Sequence, residues 1–506
     1  FLRHIYYQRF ETMEELERSR KHQILHEAKC ELLQKLEIIL SDSLTSVLNN
    51  VGECTSVEKV TTRSINERKG DNGEKTLADK KFVSRNSILT DLFEINHIRT
   101  IYHIFIAMLI LLFITTTVND FLDTGRLSLD FDLIFWTFGK LHIVIVLWIC
   151  MKVATICTYP AFYFWAMSRI EFNSRLWDMS WLSLYIGYLC AFIYFPVKEV
   201  LAHDLPPVSS FIILCEQVRL IMKIHAFVRT NIPRAIQRTE KEGTKEICPD
   251  FSKFLYFLFA PTLIYRDEYP RTNTIRWHYV VSNLFQVAGC MFYTNFLFMR
   301  FCIPVFRQYG HKPFTAKYLV LSVFGCMLPG TLCLLCAFFA ILHSWLNAFA
   351  EMLQFADRMF YRDWWNSTNY AIYYRTWNVV VHDWLYTYVY RDLCYLGLFR
   401  SKLIPMLFVF VVSAAFHEYI LCFTFKFFYP LLLVLFGGFG VGFMFVRGNH
   451  RGWNVFMWLT LFFGTGLLMS LYSLEWYARI NCPKSEGLVD MLVPRSWTCG
   501  AFSAQD

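Results

Sequence analysis

Apolar positions in this chain gather into long runs with short polar stretches between them, and helical alternation is confined to one region near the start. Runs near 98–118, 134–157, 179–197, 208–228, 277–303, 318–342, 403–425, 427–446 and 453–473 each approach the roughly 17 to 25 residues that carry a helix across a bilayer. They predict an all-α, polytopic transmembrane bundle of about nine spans, with 254–265 as a shorter re-entrant or interfacial piece. Ahead of them, residues 10–51 set Leu25, Ala28, Leu32, Leu36 and Ile39 between charges at helical spacing, an amphipathic pattern. Its polar face has no cationic bias, which favours pairing with a second copy over lying on a membrane. Residues 52–86 lose the pattern and read as a solvated linker.

Composition supports this division. The chain has 506 residues, 55% of them hydrophobic and 18% charged, far more apolar than a soluble domain. The first 97 residues carry 15 Lys/Arg and 16 Asp/Glu, so all of the chain's positive net charge of +8 arises in the remainder, with 34 basic and 25 acidic residues. Two regions follow: a cytosolic N-terminal region, 1–97, and a membrane domain, 98–506. Basic residues gather in membrane-domain loops as a topology signal, not a nucleic-acid one. The basic stretch 229–253 and the acidic stretch 119–132 place the N-terminus and 229–253 in the cytosol, and an odd span count puts the C-terminus across the membrane. No cleavable leader pattern opens the chain, so the first run is expected to be an uncleaved anchor. The opening Phe1 in place of Met is expected to mean that the start lies further upstream.

The sixteen cysteines mostly fall in apolar runs, and none stands at zinc-ligand spacing with histidines, so no metal site is expected. Cys333 and Cys336 form a CxxC within a span and read as packing. Cys482 and Cys499 bracket a short polar loop in the tail placed on the oxidising side, where a disulfide is plausible.

Ionisable residues inside the membrane domain are costly in lipid and mark bundle interiors or cavities. In "VVSAAFHEYILCF" (411–423), His417 shares a helical face with Ser413, while Glu418 points about 100° away and is expected to be paired within the protein. A satisfied structural histidine is the plain alternative. A second cluster, 359–392, mixes Trp and Tyr with Asp363, Asn366, Arg375, Asn378, His382 and Asp383. An interfacial aromatic belt would account for its rings but not for these polar groups. If 375–384 is helical, Asn378 and His382 share a face.

In chain order, "FYRDWWN" (360–366), "RTWNVVVHDW" (375–384) and "SAAFHEY" (413–419) resemble the membrane-bound O-acyltransferase superfamily, and most closely its sterol O-acyltransferases. The likeness runs from about "HIRTIYHIFIA" to "PRSWTC". The motif residues Phe360, Tyr361, Asp363, Trp364, Trp365 and Asn366, with the buried histidine, are shared with diacylglycerol O-acyltransferases. The stretch "NVVVHDW" and the "CP...PRSWTC" tail favour the sterol branch.

The resemblance implies an endoplasmic reticulum enzyme that esterifies the 3β-hydroxyl of cholesterol or a related sterol from long-chain acyl-CoA. Acyl-CoA is then a co-substrate, no cofactor is needed, and a dimer or tetramer is expected. An alcohol attacking a thioester needs a base near neutral pKa, which His417 would supply. The developing oxyanion needs a donor, for which Asn378 is suited. His382 is the runner-up base, oriented by Asp383. Trp377 would wall the internal tunnel in which the two lipid substrates meet, and Arg375, Tyr390, Lys402 and Ser413 would hold CoA. The family usually has Asn three residues before that Arg; here it is Ile372.

Two other classes stay open: a diacylglycerol acyltransferase, and a sterol-binding transporter or receptor whose intramembrane His and Glu form a relay.

Overall fold

The computed structural model describes residues 79–506, apart from 126–130, 172–174, 241–247, 311–314, 398–400, 447, 449, 484–488, 498 and 500–506, together with the pairs 68–69 and 75–76. Two compact units are distinguished, Phe1–Lys80 and Lys81–Asp506. In the first, a two-stranded antiparallel pair joins Arg68–Lys69 to Lys75–Thr76. The amphipathic helix expected at 10–51 lies outside the described residues.

The second unit is helical. After a short helix Ile88–Leu92 come α1 (Asn96–Asp123), α2 (Leu141–Arg169) and α3 (Arg175–Ala202), α4 (Pro207–Glu240) and α5 (Phe251–Phe259). Then follow α6 (Trp277–Phe306), α7 (Ala316–Met352), α8 (Tyr370–Trp377), α9 (Val379–Leu385), α10 (Leu403–Phe425), α11 (Leu433–Met444) and α12 (Trp453–Asn481).

Seven of these, α1, α2, α3, α6, α7, α10 and α12, are long and apolar enough to span a membrane. Two of the nine runs behave differently. The run at 427–446 yields α11, too short to cross. The run at 208–228 lies in α4, whose charged residues turn inward: Glu216 pairs with Lys152 of α2 at 2.8 Å and with Arg219 at 2.7 Å. Lys223, 2% exposed, donates to the carbonyls of Phe257 and of Ala260 just past the end of α5, the latter at 2.8 Å. A lysine at a helix C-terminus meets orphan carbonyls and the negative end of the dipole, so α4 carries charge into the bundle where partners exist.

Residues read as the end of the linker pack inside this unit. Arg85 forms a parallel bridge with Asp357, and its backbone exchanges bonds with Ala356 and Arg358 at 2.9 and 3.0 Å. Its side chain pairs with Asp357 at 2.7 Å.

At the other end, Cys482 and Cys499 are disulfide-bonded, their Cα atoms 5.9 Å apart. Gly310 lies against the bridge with φ +90°, where a Cβ would sit 2.9 Å from the Cys482 sulfur; no larger residue fits there without displacing it. Buried Glu475 holds the tail by accepting the backbone N–H groups of Arg495 and Ser496 at 3.0 and 2.9 Å.

Candidate functional site

The FYRDWWN stretch runs mostly irregular beside the junction of α8 and α9. The Phe360 carbonyl accepts from the Val379 N–H at 2.9 Å, and the Arg362 N–H donates to the Thr376 carbonyl at 2.8 Å. These two bonds flank Asn378. Rings complete the clamp: Trp364, 1% exposed, meets Trp377 edge-on at 4.6 Å between centroids, and Phe338 of α7 packs on Trp377 at 5.2 Å. Phe360 and Tyr361 are buried beneath, whereas Asp363 and Asn366 face outward and Trp365 is half-buried.

The condition that 375–384 be one helix is not met: the segment is broken between α8 and α9, at Asn378. Its backbone, φ −136° and ψ 89°, leaves the helical range, and its Oδ1 accepts from the Val381 N–H at 3.1 Å. Asparagine suits this position because its side-chain oxygen serves one of the first free N–H groups of the new helix. The cap uses the amide oxygen, so what Asn378 presents to a ligand is its NH₂, a donor. Trp377 and Asn378 are thus at the joint itself, and His382 lies one turn into α9, its N–H donating to the Asn378 carbonyl at 3.0 Å. The His382 ring stands 3.5 Å from Asp383.

Several residues that brace the joint escaped the sequence reading. From α12, Asn454 donates to the carbonyls of Trp365 and Ser367, each at 2.8 Å, and the Trp458 indole donates to Trp365 at 3.1 Å. Behind the motif, the Tyr361 hydroxyl bonds His343 Nδ1 at 2.7 Å. Ser87, 1% exposed, approaches the same nitrogen at 3.4 Å and accepts from Asn347 at 3.1 Å. Asn454 and Trp458 are polar-tipped residues at i and i+4 on a span, a signal that was available.

His417 sits on α10, which has no break. Its Nδ1 is 2.7 Å from the Ser413 carbonyl oxygen. A carbonyl only accepts, so Nδ1 carries a hydrogen, and in the neutral ring the lone pair is then on Nε2. The shared face expected for Ser413 and His417 therefore operates through the backbone of Ser413. The ring, read from the sequence as buried, is exposed in the isolated chain, and is tilted against Phe436 of α11 at 5.7 Å between centroids. Phe436 in turn meets Tyr374 of α8 at 5.0 Å, so a line of rings joins His417 to the helix that ends at Asn378. Glu418, 4% exposed, accepts from the Leu433 N–H at 3.0 Å, the internal pairing expected of it.

The residues assigned to CoA are carried by different elements, Arg375 by α8, Tyr390 by the turns after α9, and Lys402 and Ser413 by the start and middle of α10. Arg375 is exposed near the end of α8, its Nε donating to the Ala371 carbonyl at 2.9 Å. Ile372, where the family usually has Asn, is exposed one turn earlier. Tyr390 is half-buried and stacked on Tyr386 at 5.6 Å; burial, then the neighbouring Cys394, pushes its phenol up to about 12. Lys402 is exposed at the N-cap of α10, about 20 Å from His417 along the helix. Lys402 is thus held apart from the base. Among the described residues, no cluster of histidine, cysteine and carboxylate side chains is placed to hold a metal.

A family model described as MBOAT, membrane-bound O-acyltransferase family, matches residues 131–474. That interval contains the FYRDWWN motif, the joint at Asn378, its ties from α12 and all of α10, whereas Ser87 lies ahead of it. The chain is 51% identical over 431 residues to sterol O-acyltransferase 1 of Mus musculus, spanning 83% of this chain and 79% of that protein. It is 47% identical over 425 residues to sterol O-acyltransferase 2 of Homo sapiens, spanning 83% and 80%.

Proposed function

As the chain belongs to the membrane-bound O-acyltransferase family, we propose that it transfers a long-chain fatty acyl group from acyl-CoA to the 3β-hydroxyl of a sterol such as cholesterol, forming a sterol ester and free CoA. The likeness to sterol O-acyltransferases over most of the chain supports this acceptor.

One observation carries the assignment of roles: the bond from His417 Nδ1 to the Ser413 carbonyl. It fixes the tautomer in which Nε2 is the acceptor, the state a general base needs. Nε2 takes the sterol hydroxyl proton as the oxygen attacks the thioester carbonyl, and that proton then leaves with the CoA sulfur. Asn378, its oxygen committed to the cap, points an N–H at the oxyanion that forms. Trp377, wedged between Phe338 and Trp364, walls the chamber beside it. Arg375, Tyr390 and Lys402 bind the CoA end, where phosphate charge calls for cations and hydroxyls, and Ser413 lines the approach.

The protein is a multi-pass membrane protein. We place it in the endoplasmic reticulum membrane with the N-terminus cytosolic and the C-terminus lumenal, a reading supported by the disulfide in the tail, and as a homo-oligomer, dimer or tetramer. The test is purified protein given labelled acyl-CoA with cholesterol and diacylglycerol in competition. Cholesteryl ester should dominate; equal acylation of diacylglycerol would overturn the acceptor assignment, and no transfer to either would overturn the enzyme reading in favour of a transporter or receptor.

A further inference from the structure

We propose that Glu418 is a positioning residue for the acyl transfer: through the first turn of α11 it fixes the ring that Phe436 lays against His417. The inference rests on the reading of His417 as base and Asn378 as donor.

Four observations lead there. Glu418 is 4% exposed in a helix built otherwise for hydrocarbon, where an unpaired carboxyl would be costly. It accepts the Leu433 N–H at 3.0 Å and lies 3.2 Å from the Tyr472 hydroxyl. The N–H groups of a helix's first turn have no partner within it, and a carboxylate there is favoured by the dipole. Glu418 therefore ties down the start of a helix too short to be anchored by spanning.

That helix is also what His417 rests on. Neighbours in an α-helix diverge by about 100°, yet here both face α11: Glu418 meets its first turn, and His417 meets Phe436 three residues further along. The same Phe436 touches Tyr374, four residues before Asn378. Two glycines let α11 press in from both sides. A Cβ on Gly437 would lie 3.3 Å from Ala414 of α10, and one on Gly440 would overlap the Tyr374 hydroxyl. The geometry makes α11 a wedge between the helix of the base and the helix that ends at the donor. If the wedge shifts, the base moves relative to the donor, and a displacement of about 1 Å costs on the order of 10²-fold in rate.

The experiment measures sterol esterification by purified full-length protein, with kcat and KM for acyl-CoA and melting temperature in detergent, for Glu418→Ala, Glu418→Gln, Phe436→Ala and the Glu418→Ala/Phe436→Ala double variant. Glu418→Ala should lower kcat by about 10- to 100-fold with KM within about twofold. Glu418→Gln keeps an oxygen for the Leu433 N–H and should recover most of the rate. Phe436→Ala should match Glu418→Ala, and the double variant should lose no more than either single one, because both act through one contact. A wild-type rate in Glu418→Ala, a Gln variant as slow as Ala, or losses that add in the double variant would each overturn the proposal. Should Glu418→Ala not fold, Gly440→Ala displaces α11 with the carboxyl intact and must show the same selective loss of kcat; an unchanged kcat there also overturns it. His417→Ala run alongside separates the two claims: an active His417→Ala defeats the underlying reading, whereas a dead one beside a fully active Glu418→Ala defeats only this inference.

Discussion

The two groups assigned to the chemistry are held in opposite ways. Asn378 sits at a break between helices, clamped by main-chain bonds from the FYRDWWN loop, by Trp364 and by ties from α12. His417 sits on an unbroken helix, exposed, held by one bond to its own preceding turn and one ring contact. The difference follows from what each must do. A donor aimed at a transition-state oxygen works by being immobile before charge appears. A base takes the proton and gives it up again through the same Nε2, so its tautomer is fixed while that one edge stays open.

That contrast is broken most severely at His417. His417→Ala should lower esterification by roughly 10² to 10⁴-fold with the melting temperature unchanged, because an exposed side chain with one local bond contributes little packing. A melting shift as large as that of a core truncation would show the histidine to be structural. A dead His382→Ala beside an active His417→Ala would move the base to α9.

Asn378 should respond in two separable parts. Asn378→Ala removes donor and cap together, lowering kcat by about 10² to 10³-fold and stability by about 1 kcal/mol. Asn378→Asp keeps an oxygen for the Val381 N–H but offers no N–H, so stability should return while the rate does not. An Asp variant with restored rate would remove the donor role.

A control distant from both comes next. Cys482→Ser opens a loop of about 18 residues and should cost on the order of 3 kcal/mol of stability, while the kcat of the protein that remains folded stays unchanged. An impermeant thiol reagent that labels both cysteines from the lumenal side without reduction would show the pair to be unbonded in the membrane.

The smallest effect tests the bracing of the joint from α12. Asn454→Ala takes its donor from the Ser367 carbonyl and leaves the Trp365 carbonyl to the Trp458 indole, at about 1–3 kcal/mol, and should lower kcat more than it raises KM. An unchanged rate would show that the loop holds Asn378 without α12.

The parts of this molecule legible beforehand were those governed by patterns within a few turns of chain. The seven helices long and apolar enough to span a membrane among the described residues are runs of apolar side chains, and Ser413 and His417 meet because four residues make about one turn. Glu418 was expected to find an internal partner for the same reason. Its actual partner, a main-chain N–H at Leu433, has no side-chain signature and could not be named. The run at 208–228 scores as a span, but α4 instead carries its charges to Lys152 and to the end of α5, and such pairings depend on tertiary contacts that no window of sequence contains. Asn378 stands inside a stretch readable as one helix only conditionally, and its capping turn, followed by three valines, divides that stretch into two.

The docked segment at Phe82–Ser87 has a consequence in time. Its partners lie far along the chain: the Val83 N–H bonds Asp357, 274 residues later. At roughly 5 to 20 residues per second of synthesis, that is an interval of roughly 15 to 55 s in which Arg85 and Ser87 exist without the groups they will bury against. The N-terminal flank therefore cannot close over the motif as the ribosome delivers it. It must wait for α7 and the FYRDWWN loop to be made, so that a segment synthesised before α1 reaches its native place only after α1, α2, α3, α6 and α7 have all been made.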